Sequence, residues 1–378
     1  MQSVFQNWKS LLLEVLVLLS VLAMILHPVE ASDYRRYATD TIHYQRGQVI
    51  RVVSEELSHS DLGTGQQLGV QELMVELSDG QTITVTNYLT EIHNILAKEG
   101  QWVVVCVDAP ENAEPYYTVY NYDRTPALAA LVVVFLGLML LVGRRKGFDA
   151  ALAILFTLVF LLRVTLPALY SGASPVAMGF LMVILSTAVT LALLHGFTQQ
   201  CALGIGVTLL GEVAACLLFG VFSGLLHLTG FQTDSAEGLL LIAQSTGLQV
   251  RTLLFAGTML AALGAVMDVA VSVLSALREV ALASPNPQRK ELFRAGIRLG
   301  QDMIGTMSNT LIFAFAGGAL ATMLVFYSYG VQFQQLISSD YLTVELAQGL
   351  CSTAAVILTV PAAALVGAVA YSKSKKMK

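Results

Sequence analysis

Asp268 lies inside an apolar run, Leu253 to Leu277, that is long enough to cross a bilayer. A carboxyl group at that depth costs several kcal/mol unless it is paired, protonated or wetted by a cavity, so it marks a functional site by default. Glu212 and Asn309 occupy neighbouring runs at a similar depth. Each comes about ten residues, or ~15 Å, from the end of its helix predicted to be cytoplasmic, half of a hydrocarbon core ~30 Å thick. Two carboxyls, an amide and nearby hydroxyls could strip and coordinate a cation, or take up and release a proton.

Helical stepping shows how such groups would be positioned. Gly257, Ala261, Gly264, Asp268, Ser272, Ser275 and Glu279 fall on one stripe, each within about 40° of Asp268. Asp302, Gly305, Thr306, Asn309, Ala316 and Gly317 share a face of a second run, and Thr208, Glu212, Cys216 and Ser223 line up on a third. Small residues admit a neighbouring helix closely and hydroxyls offer hydrogen bonds where lipid cannot, so these faces are expected to point into a bundle. The candidate substrate- or ion-binding residues are Glu212, Asp268, Ser272, Asp302, Thr306 and Asn309, with Asp302 nearer the cytoplasmic mouth. The competing reading is an interhelical clamp, in which a protonated Glu212 or Asp268 bonds Asn309 and fixes packing.

Composition supports a membrane setting. Of 378 residues, 55% are hydrophobic and 12% charged, about half the charge of an ordinary soluble domain. Apolar runs of suitable length are Leu11–His27, Ala127–Val142, Ala150–Ala168, Pro175–His195, Leu203–His227, Thr252–Leu277, Met303–Ser328 and Leu346–Tyr371. With the N-terminus inside, the cytoplasmic side receives Arg144, Arg145 and Lys146, then Arg278, Arg289, Lys290, Arg294 and Arg298, then Lys373, Lys375, Lys376 and Lys378. Only Arg163 and Arg251 fall in the short outer loops, which is the positive-inside pattern.

The first run is open to two readings. Lys9 precedes a stretch of signal-peptide length, and Val29-Glu30-Ala31 would suit cleavage before Ser32; equally, the run could stay as an anchor. Residues 1–31 are therefore a signal peptide or signal anchor, residues 32–126 an exported domain, and residues 127–378 a helical membrane domain of about seven spans.

The exported segment changes period. Gly47–Val53, Val70–Leu77, Gln81–Thr86, Trp102–Val107 and Tyr116–Tyr120 read as strands, Ser78-Asp79-Gly80 as a hairpin turn, and Asn87–Ala97 as a short helix. Five strands with a helix between the third and fourth predict a small β-barrel of OB type. Between Gln66 and Val107 the only positive charge is Lys98, so nucleic acid is not expected as a partner. Tyr116, Tyr117, Tyr120 and Tyr122 read as an aromatic belt at headgroup level, with a ligand platform as the alternative.

After the sixth run, Lys290, Arg294 and Arg298 recur every four residues from Gln288 onward, predicting a basic helix lying in the cytoplasmic interface. Asp234-Ser235 would cap a short outer helix over Gly238–Ala243. No metal-ligand spacing, P-loop, HExxH or GxSxG occurs, so neither cofactor nor metal nor enzymatic activity is expected.

Two stretches carry a family resemblance. Leu263-Gly264-Ala265-Val266-Met267-Asp268-Val269-Ala270-Val271-Ser272 and Leu299-Gly300-Gln301-Asp302-Met303-Ile304-Gly305-Thr306-Met307-Ser308-Asn309-Thr310-Leu311 resemble hallmark segments of the YibE/F-like family of bacterial multi-pass membrane proteins, and the β segment around Val75–Val85 is similar to that family's N-terminal domain. The resemblance implies a helical membrane domain behind an exported N-terminal domain, in the bacterial cytoplasmic membrane. It implies no reaction, substrate or site list.

The expected fold is a polytopic α-helical membrane protein of seven or eight spans with an exported OB-like barrel and a cytoplasmic C-terminus. The expected function is ion-coupled secondary transport or export, using a proton or monovalent cation. The alternative is a non-transporting scaffold in the bilayer whose barrel docks another envelope protein.

Overall fold

The computed structural model describes residues 2–27, 41–63, 65–232, 235–284 and 286–372. The expected cleavage residues Val29, Glu30, Ala31 and Ser32, the capping Asp234, Pro285 and the tail lysines Lys373, Lys375, Lys376 and Lys378 lie outside them. The chain divides into two units, residues 30–139 and residues 1–29 with 140–378.

In the first unit five strands, β1 (Ile42–His59), β2 (Gln67–Leu77), β3 (Thr82–Leu89), β4 (Trp102–Asp108) and β5 (Tyr116–Tyr122), close a barrel in the order β1-β2-β3-β5-β4. Neighbours are antiparallel except β3 and β5, which pair in parallel at Thr86 and Thr118. Alternation decides what lies inside: Val49, Leu73, Val75, Val85, Val103 and Val105 are fully buried while the residues between them face outward. β1 serves both neighbours because irregularities at Val49/Arg51 and Val52/Ser54 bend it, and Gly47 has no Cβ to collide with Val75. The hairpin turn forms as expected at Gly80, whose φ is +84°.

The expected helix over Asn87–Ala97 does not form. Asn87 lies inside β3, which continues to Leu89, with its amide buried, donating to Gln71 Oε1 (2.9 Å) and to the Ile95 carbonyl (2.6 Å). Gln71 Oε1 also accepts from Ala97 N (3.0 Å), and the Gln71 amide donates to the Ala97 carbonyl (3.1 Å). These bonds satisfy backbone groups that a helix would have paired internally, and they hold the segment so that Ile95 and Ala97 are buried in the barrel core.

The second unit is helical. It contains α1 (Gln2–Leu26), the later part of α2 (Thr125–Phe160), a π turn (Leu161–Thr165), α3 (Leu166–Tyr170), α4 (Pro175–His195) and α5 (Gln199–Leu225). It continues with α6 (Ala236–Thr246), α7 (Val250–Ala283), α8 (Arg289–Ser328), α9 (Phe333–Ile337) and α10 (Asp340–Ser372). Among the described residues six helical runs are long and apolar enough to cross a membrane, with Ser10–Leu26 a shorter apolar helix. The expectation of seven spans after α1 differs because Ala127–Val142 and Ala150–Ala168 belong to one run of 46 residues, Thr125–Tyr170. At the helical rise that is ~70 Å, enough for two crossings. Arg144, at φ 50° and ψ −126°, breaks the helical geometry inside it, at the basic cluster.

α7 is the central post. Its Ala262, Val266, Val269, Ala270, Val273 and Leu277 pack against Val207 and Ala215 of α5 and Ala355, Val356, Val360 and Ala363 of α10. Small residues set the crossings: a Cβ at Gly296 of α8 would stand 3.0 Å from Ala364 Cα, and one at Gly300 would collide with Val360. Side chains of α10 also bond to α7 backbone, Gln348 Nε2 to the Leu254 carbonyl (3.1 Å) and Ser352 Oγ to the Thr258 carbonyl (3.2 Å).

Two sequence expectations change here. The basic helix from Gln288 is no separate interfacial element but the first part of α8, a continuous 40-residue helix. Its apolar face, Leu292, Gly296 and Gly300, is spaced every four residues with two glycines, so it packs on α10 and α7 and leaves Lys290, Arg294 and Arg298 exposed. Arg163, read as an outer-loop residue, lies within the π turn.

Candidate functional site

Glu212 sits thirteen residues from either end of α5 (Gln199–Leu225) and is wholly buried. Among the described residues neither of its carboxyl oxygens has a hydrogen-bond partner. Thr208, one turn before it, is equally buried and its hydroxyl is also unpartnered. The helix brings them inside because Gly211 allows α5 to press on its neighbours: a Cβ there would collide with Thr359 Oγ1 of α10 and stand 2.6 Å from Val266 Cγ1 of α7. On the other flank Leu209 and Cys216 pack toward Val183, Met259 and Leu263 of α4 and α7. A carboxylate desolvated in this apolar layer with no counter-charge is too costly to persist. The group must therefore carry a proton or face a cation.

The other sequence candidates are placed differently. Asp268 and Ser272 are on the exposed side of α7, and Asp302, Thr306 and Asn309 are on the exposed side of α8. Thr306 Oγ1 donates to its own helix at the Met303 carbonyl (3.0 Å). Among the described residues no hydrogen bond or ion pair joins Glu212, Asp268 and Asn309 to one another, so the clamp considered from sequence is not formed. Gly264, Gly305 and Gly317 on the same faces meet nothing within 4 Å. The stripes are real helical faces, but α7 and α8 turn their opposite sides to the core.

Sequence reasoning missed a second polar constellation. Arg145 Nη2 donates to Glu14 Oε1 (2.9 Å) and Ser10 Oγ (2.7 Å), beside the buried Asp149. Arg163 donates to the Met24 (3.3 Å), Ile25 (2.6 Å) and His27 (3.1 Å) carbonyls. The signal available was Glu14, an acid within the first apolar run, set against the arginines of a later one. A third polar link, Gln200, donates to Ser275 Oγ and accepts from Arg278 Nη1 (3.2 Å), tying α5 to α7.

Between α5 and α10 lies an apolar groove of about 520 Å³ lined by residues such as Leu218, Phe222, Leu346, Leu350 and Ile357. It fits hydrocarbon and offers no charged group.

Long apolar helices packed through glycine crossings around a buried, unpartnered carboxyl define a helical membrane protein. Residues 131–373 match the YibE/F-like protein family, and the chain belongs to that family. The barrel lies outside the matched stretch, although the sequence resemblance took it in. No curated protein and no solved structure matches the chain significantly.

Proposed function

We propose that this protein is an ion-coupled secondary transporter or exporter in which Glu212 is the group that exchanges a proton or monovalent cation. The observation that carries the reading is the burial of Glu212 at mid-helix with both carboxyl oxygens unpartnered. A purely structural carboxyl would be satisfied by hydrogen-bonding neighbours. Asp268, Ser272, Asp302, Thr306 and Asn309 lie on the outward faces of α7 and α8, away from that layer, so the reading rests on Glu212 alone. The positive-inside distribution supports a bacterial cytoplasmic-membrane topology with residues 32–126 outside and the C-terminus inside. The strand order and parallel β3–β5 pairing support an OB-type barrel, here without a helix between β3 and β4.

The test is proton flux in proteoliposomes with a trapped pH dye and a panel of driving ions. Wild-type flux that Glu212→Gln abolishes supports the reading; no flux for any ion from folded, inserted protein sinks it.

One observation favours the scaffold reading. Tyr44, Tyr88, Tyr116 and Tyr120 are each about half exposed on the barrel, with Tyr44 and Tyr120 edge to face at 4.8 Å and the Tyr116 and Tyr88 hydroxyls 3.3 Å apart. Exposed aromatic clusters are typical of protein-binding surfaces, here for an envelope protein. At the strand rise Tyr116 lies ~20 Å along β5 from Tyr122, too far for all the tyrosines to share one headgroup belt. Co-purification of an envelope protein that Tyr44→Ala/Tyr120→Ala abolishes, with no flux, would establish it.

A further inference from the structure

α1 resembles a removable leader in length and hydropathy, but its contacts are those of a fitted part. Its Val17 and Val21 are buried among Leu152, Phe156, Phe160 and Met182. At one end Arg145 bonds Glu14, which is 9% exposed, and Ser10. At the other end Arg163 reaches the carbonyls of Met24, Ile25 and His27. The last carbonyls of a helix have no partner within it and carry partial negative charge, so a guanidinium there both satisfies them and complements the helix dipole.

The spacing of the two arginines matches the spacing of their targets. Ser10 and His27 stand ~25 Å apart along a helix, and Arg145 and Arg163 ~27 Å apart. The two helical runs therefore lie parallel, in a register set at both ends. The π turn over Leu161–Thr165 adds a residue to the helix at the point from which Arg163 projects.

We propose that residues 10–27 are a permanent transmembrane helix of the mature protein, seated in a groove built for it with Arg145 and Arg163 at its two ends, rather than a leader that is removed. Loss of α1 would take away the three carbonyls that Arg163 bonds and uncover Leu152, Phe156 and Phe160. A leader requires only a basic start, an apolar stretch and a cleavage site; it has no use for side-chain partners at defined positions. The parallel alignment also agrees with the charge pattern, since Lys9 and the cluster Arg144, Arg145 and Lys146 then belong at the same membrane face. None of this depends on the transport reading.

The experiment is intact-mass measurement and N-terminal sequencing of the full chain, purified from membranes of a host with an active signal peptidase. The expected result is a mass that includes residues 1–31. A mature N-terminus at or beyond residue 28 in most of the protein overturns the proposal. A second measurement needs no disruption of the bundle. A protease site placed within residues 30–39 is cut after purification in mild detergent, and gel filtration reads whether α1 stays with the remainder. Co-elution, reduced about tenfold by Glu14→Ala, supports a seated helix. Separation of the cleaved α1 fragment from the remainder, in a chain with no other substitution, refutes the groove.

Discussion

Gly211 of α5 faces Thr359 of α10 so closely that no Cβ fits between them without displacing the threonine hydroxyl. Val266 of α7 closes the same spot, so three helices meet at one glycine, one residue before Glu212. The position is a packing constraint and a placement device at once, because the approach at Gly211 is what buries Glu212.

Gly211→Ala is therefore expected to destabilise the protein by about 1–3 kcal/mol, the usual cost of overpacking. Thr359→Ala in the same chain should recover only part of that loss, since Val266 remains in the way. Thermal unfolding in detergent measures both, and a Gly211→Ala protein that melts with wild type would show that the helices are less tightly apposed.

Glu212→Gln should fold and melt within about 1 kcal/mol of wild type, because the amide is nearly isosteric and carries no charge to desolvate. Glu212→Lys should be destabilised by several kcal/mol, as an ammonium group in the same apolar layer. If the lysine variant were as stable as the glutamine variant, the layer would have to be wet.

In the barrel, Asp123 Oδ2 accepts from Arg46 Nε at 2.7 Å and its Oδ1 accepts from Thr125 N at 3.0 Å. The hydrogen bonds of Thr125, then the Arg46 guanidinium, hold its carboxyl below the usual carboxylate range. A carboxyl depressed in the folded state contributes stability that is present above its unfolded value near 3.9 and is lost as pH falls through the folded value. Barrel unfolding, followed by Trp102 fluorescence in a Trp8→Phe chain, should accordingly become easier on acidification below about pH 4. Asp123→Asn should flatten that part of the profile; an unchanged slope would mean the ion pair adds nothing.

Asn87→Ala removes the donor that holds the Ile95 carbonyl and frees Gln71 Oε1 on one side. Leaving a buried carbonyl unpaired costs about 1–3 kcal/mol. The loss should show as faster amide hydrogen exchange across residues 90–101, with little change in β1 and β2. Uniform acceleration over the whole barrel would instead make Asn87 a global core residue.

Much of the architecture was legible in order. Alternation located the first three strands and short apolar or aromatic runs the last two, and Pro175–His195 was found at its observed bounds, because a strand or span declares itself through the side chains it must bury. The segment after Asn87 read as a helix because local pattern cannot see Gln71, sixteen residues earlier, competing for its backbone. The break at Arg144 was visible only as a basic cluster, since three charges mark a membrane edge without stating the chain's local geometry.

The candidate site divides in the same way. Glu212, Asp268 and Asn309 were found together by depth alone, and depth along a helix is a property of sequence. Which way each helix is turned is not. An acid at mid-span obliges the chain to find it a proton, a cation or water, and sequence by itself determined that obligation, along with the membrane class and the barrel's strand pattern. Tertiary packing decided that Glu212 is enclosed while Asp268 and Asn309 are exposed, and that Glu14 meets Arg145. Those outcomes depend on helix rotation and partner choice, set by close approaches such as Gly211 to Thr359 between residues far apart in the chain.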